Sequence, residues 1–145
     1  MFFLFLLSCL VSFDDGREVR HLEVERSVAT HSYNFNHALK SSLRVNMLVG
    51  GQLAGHGSGN YFKLGKYKFI LTAAHVVYGP DSLSTSDGDK TVKLFPVYID
   101  LFSDVAILVP EFDLVTIKAK DYRVNKKKDL TGQNVTYAGF PDNLP

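Results

Sequence analysis

The 145-residue chain has one cysteine, Cys9. That scarcity excludes a disulfide framework within the chain, a thiolate metal cluster and, should the first residues be removed, a thiol nucleophile. Charge of one sign is equally scarce as a surplus. Sixteen Lys and Arg against 15 Asp and Glu leave a formal net charge of +1, and both signs are scattered along the sequence. Nothing in that balance steers the chain toward nucleic acid or an anionic membrane surface. No phosphate-cradling glycine loop, cofactor motif, internal repeat or low-complexity tract is present. His21, His31, His37 and His56 lack metal-ligand spacing and carboxylate or thiolate company, so no metal site and no cofactor are expected.

Long apolar runs are absent except at the start. MFFLFLLSCLVSF turns acidic at Asp14 and Asp15, so residues 2–13 have the length of a signal-peptide h-region and fall short of the roughly 20 residues a membrane-spanning helix needs. Residues 1–13 are therefore expected to be an export signal, which implies a secreted or periplasmic chain without a stable membrane span. No Lys or Arg precedes the run, and no A-x-A pattern follows it. A buried N-terminal element is the alternative. Residues 14–33 are polar and charged and read as a leader or flexible arm.

What the sequence does have is 46% hydrophobic residues against 21% charged, enough for a packed core. NFNHALKSSL (34–43) has helix-like apolar spacing. From residue 44 the pattern becomes short apolar or alternating segments: 45–50, 60–64, 67–72, 91–100, 104–109 and 134–140. Between them lie the Gly-rich GHGSG, a Gly65-Lys66 hairpin turn, the polar PDSLSTSDGD and the basic VNKKKDLTG. Pro96 within the fourth segment marks an edge strand or a bulge. This is the pattern of an all-β antiparallel barrel or sandwich. Lys126, Lys127 and Lys128 read as a solvated loop, and Asn134-Val135-Thr136 is a formal glycosylation sequon on an expected strand.

One stretch carries chemistry. In FILTAAHVVYG (69–79) the lone ionisable side chain, His75, follows an apolar strand and two alanines. An imidazole acting as general base needs access to substrate, a partner that fixes its tautomer and a nucleophile within reach. Ala73 and Ala74 are small enough for tight backbone packing beside it. The best-placed partner is Asp104, heading the apolar strand DVAILV. A carboxylate there needs hydrogen-bond donors to remain an anion, and an imidazole N–H is one. Asp100 and Asp113 have no comparable strand behind them. Read in isolation, His75 is as readily a satisfied core histidine and Asp104 a turn residue.

Taken together, GHGSGNYFKLGKYKFILTAAHVV, SDVAILV and LTGQNVTYAGFP resemble, in order, the N-terminal part of a trypsin-like serine peptidase of the chymotrypsin fold. Thr72-Ala73-Ala74-His75 matches the motif bearing the family's catalytic histidine. Asp104-Val105-Ala106-Ile107-Leu108 matches that of its aspartate, and the two residues lie 29 positions apart, as in the shorter disulfide-free, HtrA-like or viral branches. Val76 stands where secreted animal trypsins carry a disulfide-bonded cysteine.

The resemblance implies a Greek-key barrel over residues 34–145, the first of two, with the second largely missing from this sequence. It also implies a protein or peptide substrate, and a Ser-His-Asp triad of which the chain carries only His75 and Asp104. No G-[DN]-S-G-G motif occurs, so the 145 residues alone are expected to be inactive. Ser58 in GHGSG does not fit the G-x-S-x-G pattern and is expected to be structural. Ser103 is a candidate for orienting Asp104. The rival reading is a naturally truncated, non-enzymatic binding module on the same barrel. Oligomeric state and cleavage preference are not legible.

Overall fold

The computed structural model describes residues 32–126, 129–133 and 135–140. The expected signal segment, most of the leader, His21, His31, Lys127, Lys128 and Asn134 lie outside the described residues. Chain contacts divide the sequence into Met1–Asn34 and Phe35–Pro145. Of the first unit only the opening of helix α1 (residues 32–41) is described, and everything below concerns the second.

Helix α1 ends two residues earlier than its spacing suggests. The Ser42 hydroxyl donates to the Ala38 carbonyl (2.7 Å) and that of Ser41 to the His37 and Ala38 carbonyls. These occupy acceptors that the last turn leaves open, while Leu43, 1% exposed, is drawn into the core.

Six antiparallel strands follow, β1 (Ser42–Val49), β2 (Gln52–Leu64), β3 (Tyr67–Thr72), β4 (Ser82–Asp87), β5 (Lys90–Asp100) and β6 (Val105–Pro110). Their neighbour order β1-β4-β5-β6-β3-β2 is closed by pairing of β2 with β1. The protein is thus an all-β closed barrel. The local order β4-β1-β2-β3 is the Greek-key signature, in which a fourth strand returns to lie beside the first. Closure removes the free edges that an open sheet would expose.

Period-2 alternation sends Leu43 and Val45 of β1, Ile70 of β3, Val92 and Leu94 of β5, and Ala106 and Leu108 of β6 into one core with Tyr61 and Leu83. Pro96 sits at a register shift between β5 and β6. The pairing of β4 with β5 ends at Leu94, so the proline stands at a bulge in a stretch that β6 alone flanks. Between β2 and β3 only Gly65 of the two turn residues has positive φ (60°), as a type II′ hairpin requires at its first central position.

Three expectations are corrected. GHGSG, expected between strands, lies within the 13-residue β2. Its glycines point inward, where a Cβ on Gly59 would meet Ile70, Val45 and Leu43. The polar PDSLSTSDGD contains β4, with Leu83, Ser84, Thr85 and Asp87 all buried. Residues 135–140, expected to be a strand, carry no regular structure.

A seventh, two-residue strand, β7 (Lys120–Asp121), pairs parallel to the end of β2. Tyr122 stacks edge-on against Phe62 and Phe69, both centroids at 5.6 Å, and its N–H donates to the Lys63 carbonyl. Replacing Tyr122 with Ala should cost about 1 kcal/mol, the usual worth of such aromatic pairs. The expected readout is faster proteolysis and amide exchange over residues 118–126 with little change in barrel Tm.

Candidate active site

Antiparallel pairing decides where the site forms. Thr72 on β3 is opposite Ala106 on β6, so the chain leaving β3 and the chain entering β6 emerge at the same end of the barrel. After Thr72 the backbone makes a single helical turn, α2 (Ala74–Val77), with Ala74, Val76 and Val77 buried. His75 is left facing outward, its side chain 74% exposed.

From the β5–β6 hairpin Asp104 reaches back. Its Oδ2 lies 2.7 Å from His75 Nδ1, and its Oδ1 accepts the His75 backbone N–H at 2.9 Å. Ala73, at the N-cap of α2, makes no side-chain cap hydrogen bond. Asp104 supplies the missing acceptor, taking His75 N–H and also that of Ala74. One carboxylate therefore caps the turn and orients the ring that the turn carries.

Those bonds fix the charge. The backbone N–H of His75, then its ring, then that of Ala74 hold the Asp104 carboxyl below the usual carboxylate range, against a smaller opposing effect of desolvation. An ionised carboxylate only accepts, so Nδ1 carries a proton, and in the neutral ring the lone pair is then on Nε2.

Asp104 adopts φ 52°, alone among the described non-glycine residues in positive φ. Asp tolerates this left-handed region better than most residues.

Ser103 does not orient Asp104. Its hydroxyl and N–H both bond to Asp100, which also accepts the Phe102 N–H at 2.9 Å. Asp100 thus caps the hairpin turn. Ser58 is held in a local hydrogen-bond network. Its Oγ accepts the Phe140 N–H at 2.6 Å and its carbonyl accepts the Thr72 hydroxyl at 2.8 Å. Asp113 faces Lys68 and the Tyr61 hydroxyl, and His56 lies 2.7 Å from Arg44 through Nδ1.

Sequence reasoning missed the hairpin around Asp104 as a surface. Val97, Tyr98, Ile99, Leu101 and Phe102 are all exposed, Phe102 completely. The apolar residues of VYIDLF (97–102), interrupted by Asp100 alone, were the available signal past the proline bulge. Among the described residues, no three His, Cys, Asp or Glu side chains gather at metal-binding range, and no helix is long and apolar enough to cross a membrane.

No family model and no curated protein matches the sequence. Among solved structures, the chain is similar to the Rv3671c protease from M. tuberculosis in its active form. Identity is 23% and the TM-score 0.47, over 62% of this chain and 37% of that one. The match thus spans little more than a third of that protease's length.

Proposed function

We propose that the chain supplies the general base and its orienting carboxylate to a trypsin-like serine endopeptidase, the nucleophilic serine lying outside these 145 residues. The observation that carries this reading is the doubly anchored pair: a water-exposed imidazole with Nδ1 2.7 Å from an anionic carboxylate that also holds the backbone N–H of the same histidine. In the proposed reaction Nε2 of His75 takes the proton from the serine hydroxyl as the oxygen attacks the peptide carbonyl, then returns it to the leaving amine. Asp104 stays ionised throughout and stabilises the imidazolium. The exposed apolar hairpin 97–102 favours a polypeptide as the contacting species, since exposed apolar side chains clustered on one element mark an interaction surface.

The purified 145-residue chain is expected to show no peptide turnover. Hydrolysis abolished by His75→Ala would overturn the claim that the nucleophile lies elsewhere. The longer test expresses the chain with whatever the reading frame encodes after Pro145 and treats it with a fluorophosphonate. Covalent labelling of a serine that depends on His75 supports the peptidase. An immediate stop codon, together with a soluble and cooperatively folding 145-residue product, supports instead a non-enzymatic binding module on the same barrel.

A further inference from the structure

Gly55, Gly57 and Gly59 alternate along β2, yet the missing Cβ serves a different purpose at each. A Cβ on Gly55 would meet only the terminal methyl of Met47, at 2.9 Å, which a flexible side chain can withdraw. On Gly59 it would press on the barrel wall, with Ile70 nearest at 2.8 Å. On Gly57 it would lie 2.5 and 2.8 Å from the two methyls of Val76 and 3.3 Å from its Cβ.

Val76 follows His75 in the single turn α2 and is 5% exposed. Its β-branched side chain is stiff at χ1, and rotation about that bond leaves at least one methyl facing β2. Rotating Val76 therefore does not make room for a side chain at position 57, which pushes α2 and β2 apart. Carbon atoms in contact sit about 3.5–4.0 Å apart, so relieving a 2.5 Å approach takes a shift of about 1 Å. The Nδ1 to Oδ2 distance is 2.7 Å, and hydrogen bonds fail near 3.6 Å. Asp104 is carried by a different element, the β5–β6 hairpin, so the His75–Asp104 distance depends on where α2 sits against β2.

We infer that Gly57 is a positioning residue for His75: its missing Cβ seats Val76, and the seat of Val76 sets the distance between the imidazole and Asp104. The inference rests on reading this pair as the general base and its orienting partner. It acts through Val76 and touches no reacting atom.

The test uses the 145-residue chain and ¹⁵N–¹H NMR of the His75 ring, a readout independent of hydrolysis, so failure of the peptidase reading would leave its outcome standing. Wild type is expected to show one dominant, Nδ1-protonated tautomer. Gly57→Ala should lose the hydrogen-bonded Nδ1–H signal and move toward the tautomer mixture of free histidine. Gly57→Ala with Val76→Ala, which removes both clashing methyls, should recover the wild-type signature. Gly59→Ala should lower Tm and leave the tautomer unchanged, as a merely structural glycine would. A wild-type signature in Gly57→Ala, an equal disturbance in Gly59→Ala, or no recovery in the double variant would each overturn the inference. Should Gly57→Ala fail to fold, the double variant decides: it must fold with the tautomer intact, and failure to do so refutes the claim.

Discussion

Asp104→Asn, made in the polypeptide that also carries the nucleophile, is expected to lower kcat about 10⁴-fold while KM stays nearly constant. The amide keeps the size of the carboxylate but not its charge, so it neither fixes Nδ1 as the donor nor stabilises the imidazolium. Neither effect enters substrate binding, which is why KM is spared. His75→Ala should cost at least as much in kcat. Both side chains are more than half exposed, so water replaces the lost hydrogen bonds and both variants should fold normally. Steady-state kinetics beside circular dichroism checks this. A variant that loses its fold, or keeps wild-type kcat, contradicts the assignment.

The largest expected effect on stability comes from a different carboxylate. Asp87, 6% exposed at the end of β4, accepts the backbone N–H groups of Val115 and Thr116, each at 2.7 Å, and the Thr116 hydroxyl. These bonds hold the segment that brings Leu114 into the core. Asp87→Ala leaves several donors without an acceptor in a site with little access to water, at a cost of about 2–4 kcal/mol. That is a large share of the stability of a small domain.

Burial alone would raise the Asp87 carboxyl. The Thr116 hydroxyl and the N–H groups of Val115, Thr116 and Ile117 together outweigh it and hold the group below the usual carboxylate range. A carboxyl depressed in the folded state stabilises above its unfolded pKa, about 3.9, and that contribution disappears as pH falls through the folded value. The stability gap between wild type and Asp87→Ala in urea titrations should therefore be full at pH 7 and narrow below about pH 4. A gap that stays constant down to pH 2 would show that the charge of Asp87 plays no part.

How much of this was legible in the sequence depended on which force shaped each element. Strands β3 and β6 were readable because Ile70, Thr72, Ala106 and Leu108 alternate into the core, and their antiparallel pairing is enough to bring residues 75 and 104 to one end of the barrel. Strand β4 was not, because its inward face carries Thr85 and Asp87, and the burial of Asp87 is offset by partners distant in sequence. Composition does not disclose such partners. In GHGSG the period-2 glycines were visible but mimic a linker; their meaning comes from Val76 and Ile70, which only the folded chain brings close.

The segment 135–140 has apolar alternation, yet none of its residues joins the ladder. It is fastened through a side chain instead, Ser58 Oγ taking the Phe140 N–H. Ser103 was misread for a related reason: with Asp104 in positive φ, the hydroxyl beside it in sequence turns to Asp100.

The proposed reaction depends on the tautomer of one ring, and ¹⁵N NMR of the neutral form of His75 in wild type and in Asp104→Asn reads it directly. The expected result is a wild-type imidazole protonated at Nδ1 with Nε2 free, and loss of that preference when the carboxylate becomes an amide. A ring protonated at Nε2 in the wild type, or a tautomer ratio indifferent to residue 104, would contradict it.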